Sequence, residues 1–154
     1  MSAEVNVDLD ARKGAGHGDR LVEAADALLA SCDLAQRELS ILLTDDDGIR
    51  ALNLRWRDVD QPTDVLSFAF DEVDDQIPGL PLGDIAINID QADAQRSEHG
   101  LTLDEELIFL LVHGFCHLRG YDHLTEVEAT EMRAEEERLL REVRPTLSRP
   151  ETFF

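Results

Sequence analysis

Two periods of apolar residues alternate along the chain, and each marks a kind of element. Val5, Val7 and Leu9 alternate with polar residues, the period-two pattern of a short strand. Residues 10–18 are a glycine-rich connection in which His17 reads as a loop histidine. From Asp19 to about Ser31 the spacing changes, and Leu21, Val22, Ala25, Leu28 and Leu29 share one helical face. Glu38 to Thr44 reads as the next strand, after which Asp45-Asp46 can cap a helix running through Ile49, Leu52 and Arg55. Pro62 bars helix and marks a loop before a strand from Val65 to Phe70. Residues 71–82, with Pro78 and Pro81, read as a mobile acidic loop. A strand from Asp84 to Ile89 follows, with Ile85, Ile87 and Ile89 on one face, and then a helix from Asp90 to Gly100. Thr102-Leu-Asp-Glu105 is a capping box that opens a helix whose Leu107–Val112 run is apolar on every side, so that helix is expected to be buried. Thr125-Glu-Val-Glu128 opens a second, charged helix that ends near Arg144, and residues 145–154 read as a loose tail.

This order predicts an α+β fold, a mixed sheet of about four strands covered by about five helices. A chain of 154 residues with 43% hydrophobic content can bury one core, so a single domain over 1–154 is expected. The opening residues lack a basic region and a long apolar run, which argues against a signal peptide or a membrane span. Cys32 and Cys116 do not make a disulfide framework. A cytoplasmic protein fits these features.

The chemistry concentrates in His113-Gly-Phe-Cys-His117-Leu-Arg-Gly-Tyr-Asp-His123, where three of the five histidines fall within eleven residues. His113 and His117, four apart, lie about 40° from each other around a helix and about 6 Å along it, so both imidazoles can share one metal ion. On a continuing helix His123 would sit about 15 Å further on. Gly120 supplies the turn, because glycine takes the left-handed conformation that ends helices. Three neutral imidazoles with an open fourth position describe a catalytic zinc site; a structural site has four protein ligands. Cys116 lies between two of the histidines but points about 80° from their midpoint, and is expected to pack. His99, beside Gly100, suits a helix C-terminus.

In zincin peptidases a glutamate follows the first histidine and serves as general base. Here that position is Gly114, which leaves a peptidase without its base. A glycine there points either to space beside the metal or to close packing of the helix on a strand.

The histidine stretch closely resembles the signature of the YbeY family, bacterial metal-dependent endoribonucleases of ribosomal RNA maturation. Asn53-Leu-Arg-Trp-Arg-Asp-Val-Asp-Gln-Pro-Thr-Asp-Val-Leu-Ser-Phe68 looks like the family's other marker, and Leu82-Gly-Asp-Ile-Ala-Ile87 fits the strand after it. The resemblance is close over about residues 38–124. It implies a zincin-like metal helix in a mixed sheet-and-helix fold. It also implies a single-strand-specific endoribonuclease acting on the 3′ end of small-subunit ribosomal RNA and in ribosome quality control. Expected partners are precursor ribosomal RNA and the ribosome or its proteins, with no membrane. The arginine at the position of Arg57 is implicated in the family's activity, and a guanidinium can grip a phosphate in bidentate fashion. Thr63, Asp64 and Ser67 are expected to hold the loop that carries it, and Asp84 is a candidate acceptor for a ligand imidazole.

The expected site is therefore one Zn²⁺ on His113, His117 and His123, lowering the pKa of a bound water toward about 7, with Arg57 stabilising the transition state. Two rivals stay open: a zincin-like metallopeptidase, and a non-catalytic ribosome assembly factor with a structural metal. The net charge of −20, from fourteen basic and thirty-four acidic residues, argues against tight non-specific RNA binding. Runs such as Asp71–Asp75 and Glu135–Glu137 read as solvated surface, so any RNA contact must be a local basic patch or rely on a partner.

Overall fold

The computed structural model describes residues 3–7, 16–69 and 81–150. Strand β1 spans Ala3–Val7 and helix α1 spans His17–Ser31. Strand β2 (Glu38–Thr44) and helix α2 (Asp46–Arg57) come next, followed by strands β3 (Val65–Ala69) and β4 (Pro81–Asn88). Helices α3 (Ile89–His99), α4 (Leu103–Leu118) and α5 (Glu126–Val143) complete the order. The sheet is mixed, in the order β1-β2-β4-β3; β1 and β4 run parallel to β2, and β3 is antiparallel to β4 at one edge. Leu9, Phe70, the acidic loop through residue 80 and residues 151–154 lie outside the described residues.

Side-chain alternation divides the sheet into two faces. Leu39, Ile41 and Leu43 of β2 and Ile85 and Ile87 of β4 enter the main core with α1, α4 and α5. Leu42, Leu66, Phe68 and Ala86 face the other way and meet Ile49 and Leu52 of α2. Helix α4 is the centre of the main core, buried from Glu106 through Cys116. An all-round apolar helix needs cover on every side, and here the sheet, α1, α3 and α5 provide it.

The caps follow the expected chemistry. Asp45 accepts from the Gly48 amide, Thr102 and Glu105 form a full capping box, and Thr125 accepts from the Glu128 amide. The expected strand to Ile89 ends one residue earlier, because the Asn88 side chain accepts from the Asp90 amide and starts α3. His17 is not in a loop; it opens α1, with Nδ1 2.6 Å from an Asp104 carboxylate oxygen. The tail expected to be loose is docked over residues 147–150, where Leu147, Arg149 and Pro150 are buried. No helix among the described residues is long and apolar enough to cross a membrane.

Candidate metal centre and its cleft

Helix α4 ends at Leu118, and Gly120, with φ of 92°, turns the chain back as the left-handed conformation predicts. The turn brings His123 beside the end of the helix that it has just left. One ring nitrogen from each of His113, His117 and His123 falls within 4.8 Å of the other two. The rings stand 4.7, 5.7 and 5.4 Å apart, centroid to centroid. His113 is buried, His117 half-buried and His123 exposed, so the group is anchored in the core and open to solvent.

His113 is held by a neighbour that periodicity alone did not reveal. Its Nδ1 lies 2.7 Å from Glu136 Oε2, and the carboxylate assigns the proton to Nδ1. The lone pair on Nε2 then faces His117 Nε2 at 3.2 Å. Two acceptor nitrogens this close repel unless a proton or a cation lies between them. Two nitrogens on a tetrahedral zinc stand about 3.4 Å apart, so the spacing fits a shared divalent ion. Burial, followed by the neighbouring His113, lowers the pKa of His117 and favours the neutral form that binds metals. The donor set thus suits a divalent cation.

Glu136 replaces Asp84 in the supporting role. Asp84 is exposed and lines a groove on the other face of β4, and so cannot orient these imidazoles. Nor is the Glu135–Glu137 run a solvated surface. Only Glu137 is exposed; Glu136 is fully buried, its Oε1 taking a hydrogen bond from Arg149 Nε at 2.8 Å. Glu135 accepts from Arg119, at the end of α4, and from Arg138. The missed signal was a carboxylate in the apolar stripe of α5, where Met132, Glu136, Leu139 and Leu140 recur at helical spacing.

Gly114 is explained by packing. A Cβ there would lie 3.0 Å from Ile85 Cγ2 and 3.2 Å from Val65 Cγ2. Helix α4 therefore rests directly on β3 and β4, and the space next to His113 is filled by the sheet. Cys116 is fully buried and burial pushes its thiol upward, consistent with packing rather than ligation. Cys32 and Cys116 are both free.

The histidines open into a cleft of about 790 Å³ that Arg57, Asp64, Ser67, Gln95, His99 and Asp122 also line. Arg57 is the last residue of α2 and not a loop residue, since the helix continues to Asp58, which caps it in the left-handed conformation. Its guanidinium donates to the Ser67 carbonyl at 2.9 Å and lies 5.5 Å from the Phe68 ring centroid. The loop between α2 and β3 is pinned from both sides. Asn53 donates to the Gln61 carbonyl, and Asn88 donates to the Thr63 carbonyl. Asp64 accepts from its neighbour's amide at Val65 and from Gln95. On the opposite wall His99 Nδ1 pairs with Glu106 Oε1 at 2.7 Å, and burial holds the Glu106 carboxyl above its usual range. Asp122 accepts from the His123 amide at 2.8 Å.

A family model described as endoribonuclease YbeY matches residues 14–144. A Heliobacterium modesticaldum protein named endoribonuclease YbeY is 47% identical over 117 residues, 70% of this chain and 70% of its own length. One of the same name from Persephonella marina is 40% identical over 139 residues, 86% of this chain and 91% of that protein. The solution structure of a Thermotoga maritima protein matches with a TM-score of 0.62 at 25% identity, covering 92% of this chain and 88% of that one. The family match runs through Arg57 and all three histidines, and the chain belongs to the YbeY family.

Proposed function

We propose that this protein is a zinc-dependent endoribonuclease that cuts single-stranded RNA during ribosomal RNA maturation. The observation that carries the reading is the convergence of three imidazole nitrogens within 4.8 Å on the wall of a cleft that also holds Arg57. His113, His117 and His123 are the ligands in this reading, at the end of a zincin-like helix. Zinc at such a site supplies Lewis acidity toward a phosphoryl oxygen and lowers the pKa of water. Glu136 fixes the His113 tautomer through Nδ1 and so directs Nε2 into the cleft. Arg57 is steadied by the Ser67 carbonyl, with further N–H groups for phosphate oxygens. Its positive charge opposes the extra negative charge that develops on the phosphorus centre in the transition state. Asp122 lines the cleft with Oδ1 engaged by the His123 amide, and in this reading it either orients the His123 imidazole or takes a proton from the attacking hydroxyl or water. The chain acts as one domain in this reading, in the cytoplasm, with precursor ribosomal RNA as substrate and ribosomal proteins as partners in maturation and quality control.

Purified protein is incubated with single-stranded RNA, with duplex RNA and with casein, before and after chelation. The expected result is cleavage of single-stranded RNA alone, abolished by chelation; casein cleavage would favour a zincin-like peptidase instead. Gly114 argues against the peptidase, because the methyl groups of Ile85 and Val65 take the room that a glutamate side chain would need. Arg57→Ala is expected to lower kcat at least a hundredfold. Unchanged RNA cleavage in that variant would remove Arg57 from the mechanism, and absence of cleavage in the wild type would leave an assembly factor with a structural metal. His117→Ala should lose zinc on elemental assay.

A further inference from the structure

The edge strand β3 separates two depressions. Val65, Ser67 and Ala69 line the cleft with the histidines, whereas Phe68 and Ala69 line a second groove on the α2 side. This groove measures about 450 Å³ and is walled mainly by apolar groups, among them Leu42, Leu52, Trp56 and Phe68. Trp56 is 60% exposed, and the Arg55 guanidinium lies 4.9 Å from its ring centroid. Arg57 stands between the two depressions, bonded to the β3 backbone and leaning over Phe68. Arg55, Trp56 and Arg57, all exposed, thus make a cationic and aromatic patch on a chain of net charge −20.

We infer that this groove is a nucleobase subsite, in which a base of the single-stranded RNA stacks on Trp56 while its phosphate passes over Arg57 into the cleft. The inference rests on the endoribonuclease reading and names how that substrate is held. Single-stranded nucleic acid is recognised by aromatic stacking beside a cationic track, a combination that tolerates any sequence. Among the described residues, exposed large apolar side chains sit at Leu54, Trp56, Val59, Leu124 and Val127, and of these Trp56 alone lines the groove. The groove is roomy enough to admit a base. Asp84 at the groove margin repels phosphate and can accept from an exocyclic amino group, which puts the base in the groove and the backbone on the arginines. Ala69 belongs to both depressions, so they meet at the strand edge. The arrangement also answers how so acidic a chain engages RNA: the attraction is local, and stacking shares the work with charge.

Trp56 is the only tryptophan in the sequence, so intrinsic fluorescence reports this position alone. The protein is titrated with an eight-nucleotide oligocytidylate, whose bases carry the exocyclic amino group, and cleavage of the same oligomer is measured in parallel. Expected is saturable quenching with a midpoint near the KM for that oligomer. Trp56→Ala should raise KM about tenfold, and Trp56→Phe, which keeps a ring, should recover most of the loss. Trp56 is exposed, so neither change hollows the core. Cleavage with unresponsive fluorescence, or a KM that Trp56→Ala leaves unchanged, overturns the subsite and leaves the nuclease reading standing. Saturable quenching without cleavage supports the groove and overturns the nuclease reading. Neither quenching nor cleavage overturns both.

Discussion

Glu136 and Gly114 both shape the surroundings of the three histidines, one through a hydrogen bond to His113 and the other through the contact of α4 with the sheet. Glu136→Gln keeps the shape of the side chain but removes the charge that makes Nδ1 of His113 a donor. Zinc affinity is expected to fall about 10–100-fold, measured by competition with a chromophoric chelator; an unchanged affinity would mean that the tautomer is set elsewhere. Gly114→Ala tests the packing explanation. Alanine is the better helix former by about 1 kcal/mol, but its methyl group would press on Ile85 and Val65, whose branched carbons cannot swing away. Overpacking of this kind costs about 1–3 kcal/mol, so a net loss is expected in urea denaturation. A gain would show that the sheet yields. The three histidines were legible because helix geometry and one glycine turn suffice to bring them together. Glu136 was not, because a carboxylate within an acidic run shows its burial only once the partner helix is known.

Helix α5 braces the end of α4 twice, through Glu136 to His113 and through Glu135 to Arg119. The hydrogen bond from Arg138, with help from Arg119, holds the Glu135 carboxyl below its usual range. A carboxylate depressed in the folded state contributes stability that is complete above its unfolded pKa, about 4.3, and is lost as pH falls through the folded value. Wild-type protein should therefore lose stability more steeply than Glu135→Gln between about pH 5 and pH 3, as read from urea midpoints; parallel curves would exclude Glu135 as a contributor. The segment after α5 is a further brace, since buried Arg149 meets the other oxygen of Glu136. Arg149→Ala leaves that carboxylate with one partner fewer and is expected to cost about 3 kcal/mol, measured by denaturation with zinc bound and removed. At this scale β2, the Thr102–Glu105 capping box and the one-way Thr125 cap were readable, since alternation and cap residues are local signals. The docking of residues 147–150 was not, because Pro145 and the polar residues after it carry no period that could announce a buried arginine.

Across the whole molecule, a charge of −20 spread over 154 residues stores self-repulsion that dissolved salt screens. Stability should rise with sodium chloride up to about 0.5 M while RNA affinity falls only shallowly. Two arginines on phosphates correspond to a log–log salt slope of about −1.4 for a single strand, and a slope steeper than −4 would require a basic surface that the described residues do not present. The mixed sheet was foreseeable from the order of elements, but its two unequal faces were not. Periodicity shows that β2 and β4 alternate without showing that α2 leaves part of one face uncovered. The position of Glu136 downstream of all three histidines has a consequence for biosynthesis. Translation delivers the imidazoles before the carboxylate that orients one of them, so a growing polypeptide stalled short of α5 carries the histidines without their brace. Such a fragment should capture zinc loosely and release it readily, and competence would arrive late, once the middle of α5 has been made.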